Sequence, residues 1–385
     1  MWNKIKENGI VLAVIVLSVA AVILFQLFGV KSYSRYSTDS LHYEQGKVVE
    51  VSCENLEYDE ELGLYLGNQT LKVEITGGEQ KGEIIEVSNY LTKTHNVYAQ
   101  NGMKLIINAD TPENVQPYYT VYNYDRNIPI LSCCIILAAA IICIGRGKGV
   151  KAILGLGYSM FIIIYLVIPA VFSGYSPIWM SILCAVLSTA VTLLLLNGQS
   201  KKTYAAIIAT TIGVLFALLL FMLMSWMLHL NGFSSSEAES LILIHESTGL
   251  KIKDLLFAGV LISSLGAIMD VGMSIVSSLY EVQHHNPSIT TRQLFRSGIE
   301  IGKDMIGTMT NTLILAFTGS AFITLLVFIS YQVQFNQLFS SNYMAIEIAQ
   351  GVCGTFGIVL TVPVASAVAN RKTIFIEKEK TRKVP

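Results

Sequence analysis

The sequence predicts a mostly α-helical membrane protein, a bundle of about eight transmembrane helices with one small extracytoplasmic β domain. The mean hydropathy of the chain is +0.55. Only 14% of its 385 residues are charged, whereas a soluble domain carries about a quarter. Apolar stretches long enough to cross a bilayer recur along the chain, and one polar segment with strand-like runs interrupts them. These three observations exclude an ordinary soluble domain.

Eight apolar stretches predict the membrane spans. The first has too long an apolar core for a cleaved signal peptide and no small-residue cleavage site, so we expect an N-terminal anchor over residues 1–30. The other seven form a membrane domain over 128–370, which a basic cytoplasmic tail follows over 371–385. The spans are expected at 8–30, 128–145, 151–173, 176–197, 203–230, 254–281, 305–331 and 343–369.

Basic residues near the span ends predict the orientation, because Lys and Arg concentrate in cytoplasmic segments. An N terminus inside the cell places 16 of the 26 Lys and Arg residues on short inner segments or the tail. Eight crossings then return the C terminus to the inside. We therefore expect a multi-pass protein of the plasma membrane with its β domain outside.

The polar segment 31–127 predicts a small barrel-like or sandwich domain. Its acidic surface is explained by solubility, and its single cysteine, Cys53, cannot form a disulfide within it. Asn101–Gly102 is a hairpin-turn signal. The expected strands are Val48–Val51, Leu62–Leu66, Thr70–Ile75, Glu83–Val87 and Met103–Ile107.

Polar and small residues at helical spacing distinguish the sixth, seventh and eighth spans. In the sixth, Asp270, Ser274 and Glu281 fall near one line down the helix. A charge at the middle of a bilayer costs roughly 3 kcal/mol or more, so Asp270 has to face protein or a water-filled cavity. The predicted polar path consists of Asp270, Asn311, Ser274, Thr308, Asp304, Glu281 and Glu347.

Two interpretations of these residues stay open. Small residues allow helices to approach closely, and this explains the glycines as packing positions: Gly266, Gly307, Gly319, Gly351 and Gly354. Asp270 is either a structural carboxyl bonded to Asn311 or Thr308, or a group that titrates during transport. We expect Asn311 at nearly the same depth as Asp270.

Motifs for other functions are missing from the sequence. His245-Glu246 lacks the second metal-binding histidine, and no cysteine spacing fits a metal, so we expect no metal site and no cofactor. An intramembrane aspartyl hydrolase needs two carboxyl groups in contact, and Asp304 is expected well below Asp270. No basic groove with aromatic residues indicates nucleic-acid binding.

The long motif between Gly266 and Ser320 resembles the YibE/F family of bacterial multi-pass membrane proteins. It includes Asp270, Glu281, Gly302-Lys-Asp304, Asn311 and Thr318-Gly319. The resemblance spans about 128–370 and includes Glu347 and Gly357–Pro363. The sequence resembles the low-GC Gram-positive members of the family. It implies a membrane fold, and a related membrane protein or a second copy as a partner besides the lipid bilayer. It supplies no substrate or reaction.

Together these features predict a permease-like or transport-associated protein whose polar path lies between spans six, seven and eight and is centred on Asp270. Two alternatives remain. The first is a membrane scaffold that does not transport and whose β domain binds a surface or secreted partner. The second is the intramembrane hydrolase.

Overall fold

The computed structural model describes residues 2–30, 40–78, 80–112, 115–230, 232 and 238–369. The chain divides into two compact units, Ser34–Ala140 and Met1–Tyr33 with Ile141–Pro385. The predicted tail 371–385 lies outside the described residues. The fold is mostly helical, as predicted, with one small β domain.

Five strands form a closed barrel in the first unit. They are β1 (Leu41–Asp59), β2 (Leu64–Ile75), β3 (Ile84–Leu91), β4 (Lys104–Asp110) and β5 (Tyr118–Tyr124). The strand order around the barrel is β1-β2-β3-β5-β4. Strand β3 pairs with β5 in parallel, and the other neighbours are antiparallel. This is the Greek-key topology of an OB-fold.

Among the described residues of the barrel, the fully buried side chains are apolar apart from one amide pair. Alternate residues of the strands point inward, and Leu71, Val73 and Val87 are fully buried. Asn89 Nδ2 donates hydrogen bonds to Gln69 Oε1 at 2.9 Å and to the carbonyl of Val97 at 2.7 Å. Gln69 in turn donates to the carbonyl of Ala99 at 3.1 Å. The pair thereby holds the β3–β4 connection against the barrel.

The predicted strands correspond to four of the five observed ones. The two runs Leu62–Leu66 and Thr70–Ile75 belong to the single strand β2, while β5 was not predicted. The Asn101–Gly102 pair does not close a two-strand hairpin. It is the turn before β4, where the Gly102 amide donates to the carbonyl of Val48 at 2.8 Å.

Helix α1 precedes the barrel in the sequence, and the other helices follow it. Six helical stretches among the described residues are long and apolar enough to cross a membrane, the first being Asn127–Phe172; the apolar part of the N-terminal helix, Ala13–Phe28, is shorter. The helices are α1 (Trp2–Phe28), α2 (Asn127–Ile162), α3 (Ile168–Phe172), α4 (Pro177–Asn197), α5 (Lys201–Met227), α6 (Ala238–Thr248), α7 (Ile252–His285), α8 (Thr291–Ser330), α9 (Phe335–Phe339) and α10 (Asn342–Val368). A π-helical turn, Ile163–Val167, joins α2 to α3.

Helix α2 is interrupted at Arg146, whose φ of 47° and ψ of −130° are not helical. A Cβ on Gly149 would collide with the carbonyl oxygen of Ile141. In a straight helix, residues eight apart are separated by about 12 Å along the axis. The chain therefore turns sharply at Arg146, between the two predicted spans 128–145 and 151–173.

Helices α5, α7 and α10 pack closely where small residues meet. A Cβ on Gly213 of α5 would collide with Thr361 Oγ1 of α10, and one on Gly272 of α7 would lie 2.9 Å from Thr210 Oγ1 of α5. Thr210 and Thr361 are fully buried. Close backbone approach of this kind is typical of helix contacts in membranes.

Helix α8 is longer than the predicted seventh span, 305–331. It begins at Thr291 with a capping box, in which Thr290 and Gln293 bond each other's backbone amides. It then continues for 40 residues without interruption. Residues 291–304, which precede the predicted span, are therefore the first turns of this helix.

Candidate functional site

The predicted path residues lie on α7, α8 and α10, and glycine contacts fix the register of these helices. A Cβ on Gly354 of α10 would lie 2.7 Å from Leu313 Cδ2 of α8 and 3.3 Å from Ser264 Cβ of α7. A Cβ on Gly298 of α8 would lie 2.9 Å from Leu279 Cδ1 of α7. Leu313 is thus level with Ser264, and Gly298 with Leu279.

This antiparallel register sets the depth of Asp270. Asp270 is six residues beyond Ser264 on α7, and Gly307 is six residues before Leu313 on α8. Asp270 is therefore level with Gly307, and Asn311 is level with Gly266, about one helical turn away. Asn311 was expected at nearly the depth of Asp270, and the register places it one turn from there.

Most of the predicted path residues lie on the surface of the single chain. The carboxyl residue Asp270 is exposed rather than enclosed by α7, α8 and α10. On α8 the polar residues lie on the side of the helix away from its buried residues, Gly302 and Leu313. The exposed residues are Asp270, Glu281, Asp304, Thr308 and Asn311; Ser274 and Glu347 are partly buried.

Within the described part of the chain, no hydrogen bond joins the side chains of any two of the seven path residues. The Thr308 hydroxyl lies 3.3 Å from the carbonyl oxygen of Asp304 and 3.2 Å from that of Met305, and donates within its own helix. A bond from Asp270 to Asn311 or Thr308, which one of the two interpretations requires, is not among the hydrogen bonds of the described residues. The same register puts Asp304 level with Met273, less than one turn from Asp270 rather than well below it as predicted.

The five predicted packing glycines fall into two groups. The position of a Cβ on Gly266, Gly307 or Gly319 has no atom within 4 Å, apart from the helix's own backbone and chain neighbours. Gly354, in contrast, is buried in contact with α7 and α8, and buried Gly351 faces Phe317 at 3.9 Å. The first group is therefore not packed against another helix; Gly266 lies one turn from Asp270 on α7, and Gly307 one turn from Asn311 on α8.

A groove of about 440 Å³ lies between α8 and α10. We define the α8–α10 groove by Phe317, Ala321 and Leu325 of α8 and by Glu347, Gly351 and Thr355 of α10. Glu347 Oε2 and Thr355 Oγ1 are shielded from solvent and have no hydrogen-bond partner among the described residues. Of these six residues, the sequence predicted Glu347 and Gly351. Thr355 was not predicted, although its i, i+4, i+8 spacing with Glu347 and Gly351 places all three on one face of α10.

The barrel carries a second candidate surface made of tyrosines. Tyr65 packs against Tyr58 and Tyr98, with ring centroids 5.0 Å and 4.7 Å away. The hydroxyl groups of Tyr90 and Tyr118 lie 3.2 Å apart. Among the residues described, no group of three or more His, Cys, Asp or Glu side chains is arranged to hold a metal ion.

Comparison with known protein families gives a match over most of the helical part of the chain. A family model described as "YibE/F-like protein" matches residues 133–373. This range contains α7, α8 and α10 with all the path residues. No curated protein and no solved structure matches the chain.

Proposed function

The chain belongs to the YibE/F family, and we propose that it is a permease of the plasma membrane whose polar path is the exposed face of α7 and α8, closed by a second copy of the chain. We call this surface the α7–α8 polar face and define it by Gly266, Asp270, Gly307, Thr308 and Asn311. The observation that carries the proposal is an exposed carboxyl group, Asp270, in a helix long and apolar enough to span a membrane.

The energetic argument rests on the cost of placing charge in hydrocarbon. A carboxylate at mid-bilayer costs roughly 3 kcal/mol or more, and acids within spans therefore face protein or water. Asp270 has no hydrogen-bond partner among the described residues of its own chain, and Asn311 is exposed. A surface outside the single chain has to cover both side chains or keep them hydrated.

The glycines of this face support a second copy as the cover. Gly266 and Gly307 each precede a polar residue by one turn, and the Cβ position of each meets open space. Small residues allow another helix to approach, and polar side chains then bond across the contact. A symmetric pair of chains would bring two copies of Asp270 and Asn311 to a common path.

The sharp turn at Arg146 supports the topology that this path requires. If the segments before and after Arg146 cross the membrane separately, the helices provide eight crossings, with α1 as the first. Both termini then lie in the cytoplasm, as the distribution of basic residues predicts. The barrel lies outside the cell in this arrangement.

Proton flux into liposomes tests the proposal. Purified protein is reconstituted with an internal pH-sensitive dye, and flux is compared between the unchanged chain, Asp270→Asn and the control Asp254→Asn. Asp254 is another acid of α7, located in its first turn. We expect Asp270→Asn to lower the flux at least about tenfold, a loss of roughly 1.4 kcal/mol or more in transition-state stabilisation, and Asp254→Asn to leave it unchanged. Equal flux in all three proteins would remove Asp270 from the mechanism.

The tyrosine surface favours one alternative, a scaffold that does not transport. Tyrosine is enriched in protein interfaces because its ring offers a large contact area and its hydroxyl a hydrogen bond. Tyr58, Tyr90 and Tyr118 are exposed, which suits a barrel that binds a surface or secreted partner. The same liposomes separate the two functions, since a scaffold predicts no flux above that of protein-free vesicles.

A further inference from the structure

We propose that the α8–α10 groove binds an amphiphile with a single apolar chain and a protonated amine head group, with the amine at Glu347. This site is separate from the α7–α8 polar face, and the inference does not depend on transport. It rests on the shape of the groove, its apolar lining and its two unbonded polar atoms.

The first argument is the size and shape of the groove. Its volume of about 440 Å³ lies within the range of small-molecule sites, about 300–1,000 Å³. On α10 the lining extends from Met344 to Val359, a rise of about 22 Å at 1.5 Å per residue. An elongated molecule fits this length better than a compact one.

The second argument is the chemistry of the walls. Phe317, Ala321 and Leu325 provide an apolar wall, and Gly351 leaves room where a side chain would fill the groove. Such a wall gains free energy by covering an alkyl chain, and this gain scales with the apolar area removed from water. The main body of the ligand is therefore a hydrocarbon chain.

The third argument is charge. Glu347 lies toward one end of the groove, near the N terminus of α10, and its Oε2 atom has no partner among the described residues. None of the lining residues is Lys, Arg or His. A shielded carboxylate needs a compensating donor, and an ammonium group supplies both opposite charge and hydrogen bonds. A carboxylate head group would instead be repelled.

Thr355 provides a secondary contact further along the groove. It lies two turns from Glu347 on the same face of α10, and its Oγ1 atom has no partner among the described residues. Its hydroxyl can donate to a carbonyl or hydroxyl oxygen along the chain of a ligand. A plain alkylamine does not need this contact, which makes such an amine a suitable probe.

The test uses the full-length protein in detergent, with hexadecylamine and hexadecanoic acid as probes of equal chain length. Native mass spectrometry counts the bound molecules, and a titration gives the dissociation constant. We expect one hexadecylamine per chain and binding at least about tenfold weaker for hexadecanoic acid. Equal affinity for the two probes would contradict the proposed role of Glu347.

Two variants locate the probe. Glu347→Gln removes the charge and should weaken amine binding at least about tenfold, since bonds to charged groups contribute about 1.5–3 kcal/mol. Gly351→Leu fills the groove and should abolish amine binding while leaving the carboxyl group in place. Asp254→Asn, an acid outside the groove, is the control and should bind like the unchanged protein.

Two results would overturn the proposal. The first is amine binding that Gly351→Leu leaves unchanged, which would locate the amine elsewhere even if Glu347→Gln fails to fold. The second is a Gly351→Leu protein that changes from dimer to monomer, whether or not amine binding is lost. That result would make the groove an interface between copies of the chain.

Discussion

Two parts of the helical unit use the same small and polar residues in opposite ways. In the contact among α5, α7 and α10, Gly213 and Gly272 lie directly against threonine side chains, and those threonines are buried. On the α7–α8 polar face, Gly266 and Gly307 meet open space, and Asn311 is exposed. Composition is similar in the two places, but only the first is packed within one chain.

The difference shows that residue type alone does not separate packing from function in a membrane helix. A glycine against a buried threonine already satisfies the packing role. Where a glycine lies beside an exposed carboxyl group, no contact within the chain offsets the free-energy cost of placing that carboxyl group in lipid. The proposed function therefore places the second copy and the polar path at the α7–α8 polar face.

The largest expected effect tests the packed part. Gly213→Leu places a side chain where Thr361 already lies, so we expect a loss of about 3 kcal/mol in the free energy of unfolding. The control is Gly157→Leu in α2, where the Cβ position has no atom within 4 Å outside its own helix. Thermal unfolding of both proteins in detergent measures the difference. Equal midpoints would mean that α5 and α10 do not approach at Gly213.

The next effect tests a buried polar contact of a different kind, in the barrel. Asn89→Ala removes the hydrogen bonds that Gln69 Oε1 and the Val97 carbonyl accept from Asn89, which should cost about 1–3 kcal/mol. Asn68→Ala is the matched control because Asn68 is exposed on the neighbouring strand. Proteolysis rates of the barrel in the full-length protein report the result. Equal rates for the two variants would contradict the amide network.

A smaller effect is expected on the exposed face. Gly307→Leu should leave the unfolding midpoint of the single chain nearly unchanged but weaken association of two chains about tenfold, or roughly 1.4 kcal/mol. Mass measured across a dilution series in lipid nanodiscs tests this. A dissociation constant equal to that of the unchanged protein would exclude Gly307 from an interface.

The smallest effect is expected at an exposed ion pair of the barrel. Glu50 accepts a hydrogen bond from Lys72 at 2.8 Å and raises the pKa of Lys72 above its ordinary value. A raised pKa in the folded state gives stability that is present at neutral pH and is lost as the pH rises through that pKa. Because both side chains are about half exposed, we expect Lys72→Met to leave the unfolding midpoint unchanged at pH 7. A clear drop at pH 7 would contradict this.

The sequence was sufficient for features that depend on local pattern. Hydropathy located the helices, and the motif around Asp270 identified the family. The strand β5, Tyr118–Tyr124, carries a β-prone run of Tyr, Thr and Val that could have been recognised. Its parallel pairing with β3 could not, because that contact depends on closure of the whole barrel.

The candidate sites were predictable only in part for the same reason. Helical periodicity put Asp270 on a polar stripe, yet it could not tell whether a neighbouring helix covers that stripe. Glu347 was identified from spacing along α10, whereas the opposite wall, Phe317 and Leu325, depends on how α8 lies against α10. Relative placement of helices is a tertiary property that a single sequence does not contain.

Cross-linking between chains is the most direct test of the claim that a second copy covers the α7–α8 polar face. In a background with all six cysteines replaced, Asn311→Cys is compared with Leu219→Cys, an exposed position on α5. Oxidation in native membranes should convert the Asn311→Cys protein to a species of twice the mass and leave the Leu219→Cys protein as a single chain. Equal cross-linking at both positions, or none at Asn311→Cys, would contradict the account.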